Sequence, residues 1–139
     1  MRPDIRVSSG PAGLMEAERD PLTSKVIGAA IEVHRHLGPG LLESAYEECL
    51  SWELKQIGLA HACQVPLPVV YKGVRMELGY RMDVVVEGKL LLELKTVDAL
   101  LAVHEAQLLT YLRLSGIHTG LLLNFNRAVL RDGIIRMVL

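Results

Sequence analysis

Residues 74–96 read VRMELGYRMDVVVEGKLLLELKT, and their alternation decides the fold. Leu78, Tyr80, Met82, Val84 and Val86 alternate with Glu77, Gly79, Arg81, Asp83 and Val85. After Glu87-Gly88, Leu90, Leu92 and Leu94 alternate with Leu91, Glu93 and Lys95. Successive side chains of a strand point to opposite faces. The pattern therefore predicts a hairpin, 74–86 and 89–96, whose apolar sets share one face and whose Asp83, Glu93 and Lys95 share the other. That condition sets a register, because paired residues on antiparallel strands point the same way. A two-residue loop would oppose Asp83 to Leu92. A three-residue loop at Val86-Glu87-Gly88 pairs Met82 with Leu92, Val84 with Leu90 and Arg81 with Glu93, and puts Gly88 in the left-handed position such a loop needs.

Two carboxylates on one face, with room for water, suit a hard divalent cation such as Mg²⁺. Such an ion polarises a phosphoryl oxygen and lowers the pKa of water. Lys95, two residues after Glu93, points into the same space and can orient an attacking water or stabilise charge on a phosphate. The same residues also have an ordinary reading. Charges on the solvent face of a hairpin are common, and an Arg81–Glu93 cross-strand pair contributes only about 0.2–1 kcal/mol.

Outward from the hairpin the chain reads as α/β. Residues 1–21 mix Pro3, Pro11, Pro21, Gly10 and Gly13 without periodicity and predict a mobile tail. Met15 as well as Met1 is open as the native start. From Thr23 or Ser24 as cap, Val26, Ile27, Ala30, Ile31, Val33 and Leu37 follow at helical spacing until Gly38-Pro39-Gly40. A second helix is predicted from Leu41 to Ile57, and a strand from Gln64 to Tyr71 whose Pro66 and Pro68 suggest an edge. After the hairpin come a helix over 99–114, a buried strand over 117–124 and a last strand over 134–139. The predicted order is α-α-β-β-β-α-β-β in one domain, 22–139. On the 99–114 helix, His104, Gln107 and Tyr111 stand at i, i+3 and i+7 and share one polar face.

Composition narrows the function. Half of the residues are hydrophobic (50%), but only six are aromatic, so the core is aliphatic. A net charge of −1 argues against a protein that coats DNA by bulk charge. Nucleic-acid binding would need a local patch or a divalent metal. Cys49 and Cys63 lack CxxC spacing, against a disulfide framework or a structural zinc. No apolar run reaches membrane-span length, and the N-terminus lacks a signal-peptide core. A cytoplasmic protein with no membrane partner is expected.

Gly79-Tyr80-Arg81-Met82-Asp83, nine residues, Glu93-Leu94-Lys95-Thr96, then Gln107-Leu108-Leu109-Thr110-Tyr111 resembles the RecB-like branch of the PD-(D/E)xK nuclease superfamily. Upstream, Gly40-Leu41-Leu42-Glu43-Ser44-Ala45-Tyr46 resembles the signature of the bacterial GxxExxY family. The resemblance spans about Thr23 to Leu139. It implies a restriction-endonuclease-like core, a mixed sheet flanked by helices, and a nuclease dependent on Mg²⁺ or Mn²⁺, acting on DNA before RNA. It implies Asp83 and Glu93 as metal ligands, helped by the Leu94 carbonyl, and Lys95 as the residue serving the nucleophilic water. It adds Glu43 as a further acidic group at the metal, and Gln107 and Tyr111 as residues that orient the site or touch phosphate.

Glu43 has another reading, as a first-turn carboxylate complementing a helix dipole by roughly 0.3–1 kcal/mol. Tyr46 reads as packing. His34 and His36, just before the Gly-Pro-Gly turn, stand where they can approach the site. A chain with no separate DNA-reading domain leaves room for a homodimer or an accessory protein complex. One rival reading is an inactive module using Arg75, Arg81, Arg113, Arg127 and Arg131 as a contact surface. The other is a thiol hydrolase built on Cys49 or Cys63, although nothing marks either thiol as activated.

Overall fold

Asp20, rather than Thr23 or Ser24, starts the first long helix. In the computed structural model, which describes residues 5–139, the Asp20 carboxylate accepts from Leu22 N and from Thr23 Oγ1. Pro21 occupies the first helical position, where its missing N–H costs nothing. The elements run β1 (Arg6–Ser9), α1 (Gly10–Glu18), α2 (Pro21–Leu37), α3 (Glu43–Gln56), β2 (His61–Pro66), β3 (Val69–Tyr71) and β4 (Val74–Met76). Then follow β5 (Arg81–Val86), β6 (Leu90–Lys95), α4 (Ala102–Ser115), β7 (Thr119–Asn124), a 3-10 turn (Leu130–Gly133) and β8 (Ile134–Val138).

Six strands form one sheet in the order β1-β8-β7-β6-β5-β2. β6 and β7 are parallel, joined by the α4 crossover, and every other pair in this sheet is antiparallel. This is the mixed sheet flanked by helices that the resemblance implies, and β2 lies on an edge as Pro66 suggested. Tyr46, Leu50 and Leu54 of α3 and Val26 and Ile27 of α2 bury against Val84, Leu92 and Leu94. Leu108 and Leu112 of α4 bury with Leu91 and Leu122 in a second apolar cluster.

Three further expectations change. The predicted tail is structured where it is described. β1 pairs with β8 from Arg6↔Val138 to Ser9↔Ile135, and α1 buries Leu14 and Ala17. Residues 1–4 lie outside the described residues. The segment has no periodicity of its own because its strand is recruited by the open edge of β8, and Met15 falls inside α1. Second, the strands over 64–71 and 74–86 are each divided. Pro66 ends β2 and Pro68 follows it, neither donating an N–H, and Gly79 at φ +82° turns the chain between β4 and β5. Leu78 and Tyr80 therefore leave the core alternation and are exposed.

Third, the hairpin register differs by one step on each strand. Val86 pairs with Leu90, Val85 with Leu91 and Val84 with Leu92. The loop keeps three residues, Glu87-Gly88-Lys89, with Glu87 and Gly88 both left-handed at φ +54° and +65°. Parity is preserved, so Glu93 and Lys95 still face away from Leu92 and Leu94. Continuing the register brings Asp83, not Arg81, opposite Glu93. The face itself is not a solvent face, because α4 covers it, and Met82 packs there with Leu91 rather than with Leu92.

Gly133 closes the far end of this layer. A Cβ there would lie 2.6 Å from the Asn124 carbonyl oxygen and 3.1 Å from Asn124 Cβ. Asn124 is fully buried and cannot yield cheaply. Gly133→Ala should destabilise the fold by roughly 1–3 kcal/mol in urea denaturation. Gly28→Ala, on the exposed face of α2 with nothing within 4 Å, should stabilise by about 0.5–1 kcal/mol.

Candidate nuclease site

Where β5 and β6 should continue their ladder beyond Val84↔Leu92, they separate, and carboxylates replace the backbone partners. The Asp83 N–H donates to Glu93 Oε2 at 2.8 Å, and the Leu94 N–H donates to Asp83 Oδ2 at 2.8 Å. Each acid thus fills the backbone vacancy created beside the other. The N–H and C=O of a strand residue leave on the same edge, so the Leu94 carbonyl also faces Asp83.

On the other side of Asp83, β2 is distorted. Gln64 has φ +52°, and its Nε2 donates to Glu47 Oε1 at 2.6 Å and makes a long 3.5 Å contact to Asp83 Oδ1. Lys95 Nζ donates to Gln107 Oε1 at 2.9 Å, and Gln107 Nε2 donates to the Tyr111 hydroxyl at 3.3 Å. The i, i+4 spacing on α4 makes this relay.

The electrostatics follow from burial. Glu93 is 3% exposed, and burial first, then the Asp83 charge, push its pKa from 4.5 up to about 8. Burial also raises Asp83, opposed by the Leu94 N–H, Lys95 and Gln64. Glu43, at the start of α3, is raised by partial burial and by Asp83, and lowered by Lys95, the Thr96 backbone and His104. It therefore shares one electrostatic neighbourhood with the hairpin acids. Tyr46 is a packing residue, as expected: it stacks on Phe125 at 4.5 Å, donates to the Gly38 carbonyl and accepts from Leu41 N. It ties the Gly-Pro-Gly turn to α3 and so places Glu43.

His34 and His36 do not join the cluster through the contacts they make: His34 Nε2 bonds the Arg127 carbonyl, and His36 bonds the Glu32 carbonyl on its own helix. His104 Nδ1 accepts from Leu101 N and caps α4. Burial raises the Cys63 thiol, the opposite of activation. Three of the arginines of the contact-surface reading are engaged, Arg75 with Glu77, Arg131 with Glu18 and Arg81 with the Gln64 carbonyl.

Three participants escaped the sequence reading, Gln64 being the first of them. Glu47 is raised by burial, then by Asp83 and Glu43, with Gln64 opposing. Its signal was available, since Glu43 and Glu47 lie at i, i+4 on one helix face. Asn124 had no such signal. Its Oδ1 accepts from Val97 N and Asn126 N, and its Nδ2 donates to Val97 O. It holds the chain leaving Lys95.

Among the described residues no three His, Cys, Asp or Glu side chains converge as a ready-made metal cluster. The donor chemistry nevertheless fits a hard cation. Two acids lie side by side with Glu93 Oε1 outside the bond to Asp83, and Lys95 is the cation that lowers both. No curated protein and no solved structure gives a significant match. Residues 20–137 match the profile of the PD-(D/E)XK nuclease superfamily. That match runs from the Asp20 cap to β8 and takes in the whole interlocked hairpin, so the chain belongs to the PD-(D/E)XK nuclease superfamily.

Proposed function

We propose that this protein is a divalent-metal-dependent nuclease that hydrolyses phosphodiester bonds of nucleic acid, DNA in preference to RNA. The observation that carries the reading is the reciprocal bonding of Asp83 and Glu93 in the gap between β5 and β6, with Lys95 on the Glu93 face. Asp83, Glu93 and the Leu94 carbonyl would hold Mg²⁺ or Mn²⁺, with Glu43 as a further acid. The ion, when bound, supplies charge neutralisation at the phosphate and an acidified water.

The protein's own groups supply the rest. The backbone N–H of Asp83 fixes the Glu93 carboxylate, and that of Leu94 fixes the Asp83 carboxylate, so neither needs to reorganise when charge develops. Gln107 holds the Lys95 ammonium, which is placed to orient a water or to meet negative charge on the phosphate. Tyr111 in turn holds Gln107. The GxxExxY signature at 40–46 and the RecB-like order of motifs support the same assignment. A cytoplasmic location accords with it, and no helix among the described residues is long and apolar enough to cross a membrane.

Purified protein should cleave labelled DNA in millimolar Mn²⁺ or Mg²⁺ and stop when EDTA is added. The same ions should raise its melting temperature by several degrees, because the unfolded chain holds no preformed site. Neither cleavage nor a thermal shift with either ion, on single- or double-stranded DNA or RNA, would make the non-catalytic module the better reading.

A further inference from the structure

Beside the carboxylates the surface changes character. An open groove of about 500 Å³ runs between α4 and the segment linking β4 to β5. Val103, Ala106, Thr110 and Leu114 form one exposed stripe of α4 along its floor, and Leu78 and Tyr80 form its wall. Val103 is 64% exposed, Leu78 55% and Tyr80 47%, an unusual concentration of apolar surface in a chain with few aromatics. No charged side chain lines the groove. Gln107 and Tyr111 also line it, and Gln107 is the residue that bonds Lys95. The groove is thus continuous with the proposed site.

The Tyr80 ring meets Tyr111 at 68°, with centroids 6.2 Å apart. Tyr111 is buried, so the accessible aromatic surface belongs to Tyr80. The Tyr80 backbone is anchored, since its carbonyl accepts from Leu67 N at 2.8 Å.

We propose that this groove receives unstacked bases of single-stranded DNA, with Tyr80 as the stacking platform, and so makes a single strand the preferred substrate. The proposal rests on the nuclease reading. A phosphate met by Lys95 lies beside the groove, because Gln107 both bonds Lys95 and lines it. An uncharged, partly aromatic surface suits base faces and not phosphates, and such stacking tolerates any sequence. Bases inside a duplex are stacked on one another and cannot enter without unstacking.

The test separates binding from cleavage. Fluorescence anisotropy of a labelled single strand, a blunt duplex of the same sequence, an abasic strand and an RNA strand is measured on Glu93→Gln protein, in that background alone and with Tyr80→Ala, Tyr80→Phe or Val103→Asp. Cleavage is measured with the same three groove substitutions in the wild-type background.

The single strand should bind at least about 10-fold more tightly than the duplex or the abasic strand. Tyr80→Ala should weaken it about 5- to 100-fold, Tyr80→Phe should restore it, and exposed Val103→Asp should weaken it without unfolding. Equal binding of duplex or abasic strand overturns the proposal, as does unaltered binding by Tyr80→Ala. Tighter binding of RNA overturns the assignment to DNA. A change of oligomeric state in Val103→Asp with strand binding intact would make the groove a self-association face and overturn it. Cleavage with unaltered strand binding sinks the groove and leaves the nuclease. Tyr80-dependent strand binding without wild-type cleavage sinks the nuclease and leaves the groove.

Discussion

Glu93→Gln should yield a folded protein that no longer cleaves nucleic acid and that, stripped of metal at pH 8, is more stable than the wild type. The two halves of this result have one cause. Glu93 is buried beside Asp83, and its carboxyl is raised to about 8 from 4.5. Below pH 4.5 the acid is protonated in both the folded and the unfolded chain and contributes nothing to pH dependence. Between 4.5 and about 8 the unfolded chain has lost this proton while the folded chain keeps it. The folded state then binds more protons, so stability falls as pH rises. Above 8 the whole penalty of a buried charge is present, on the order of a few kcal/mol.

A glutamine keeps a carbonyl oxygen for the Asp83 N–H and carries no charge. The pH slope between 5 and 8 should therefore flatten in urea titrations of the metal-free variant. Cleavage should fall by more than about 100-fold, since even the partners that merely orient metal ligands cost 10- to 100-fold when lost. The metal-induced rise in melting temperature should go with it. A variant with wild-type cleavage, or one with the wild-type pH slope, would remove Glu93 from its place in the site.

Lys95→Ala should separate binding from chemistry. Its Nζ donates to Gln107 and its charge lowers Asp83, Glu93 and Glu43. It offers no oxygen and holds no ion. The thermal shift with Mn²⁺ should therefore survive, while single-turnover cleavage should drop about 10²- to 10³-fold, the cost of removing one preorganised donor from developing charge. With its cation gone, the three carboxyls rise further, so the metal-free variant should lose more stability than wild type between pH 5 and 8. Gln107→Ala should reproduce part of the rate loss with no effect on the ion. Cleavage by Lys95→Ala within a few-fold of wild type would leave the lysine as an ordinary partner of Gln107.

The alternation over residues 84–95 contained the sheet, the faces and the odd loop, whereas Leu78, Tyr80 and Met82 did not keep to the face it gave them. Parity is a local property with period 2, and every residue of the hairpin votes on it. The same alternation could not choose between two registers of equal parity. That choice was made by the exchange of Asp83 and Glu93 for ladder bonds, which no pattern of hydrophobicity records. Helices α2, α3 and α4 were legible because their apolar stripes and glycine stops are written within each segment. β1 was not, because an edge strand of four residues is defined by the neighbour that pairs with it.

The sequence by itself determined which chemistry-bearing residues each segment presents: two acids and a lysine on one hairpin face, a glutamine and a tyrosine on one helix face, and a glutamate behind a Gly-Pro-Gly turn. Tertiary structure alone decided that these faces meet, that Glu93 is a buried acid, that Gln64 and Glu47 flank Asp83, and that Asn124 holds the chain after Lys95. The reason is physical. Residue type and period are set within a few residues of chain, whereas desolvation and charge coupling depend on which distant segments close over a group.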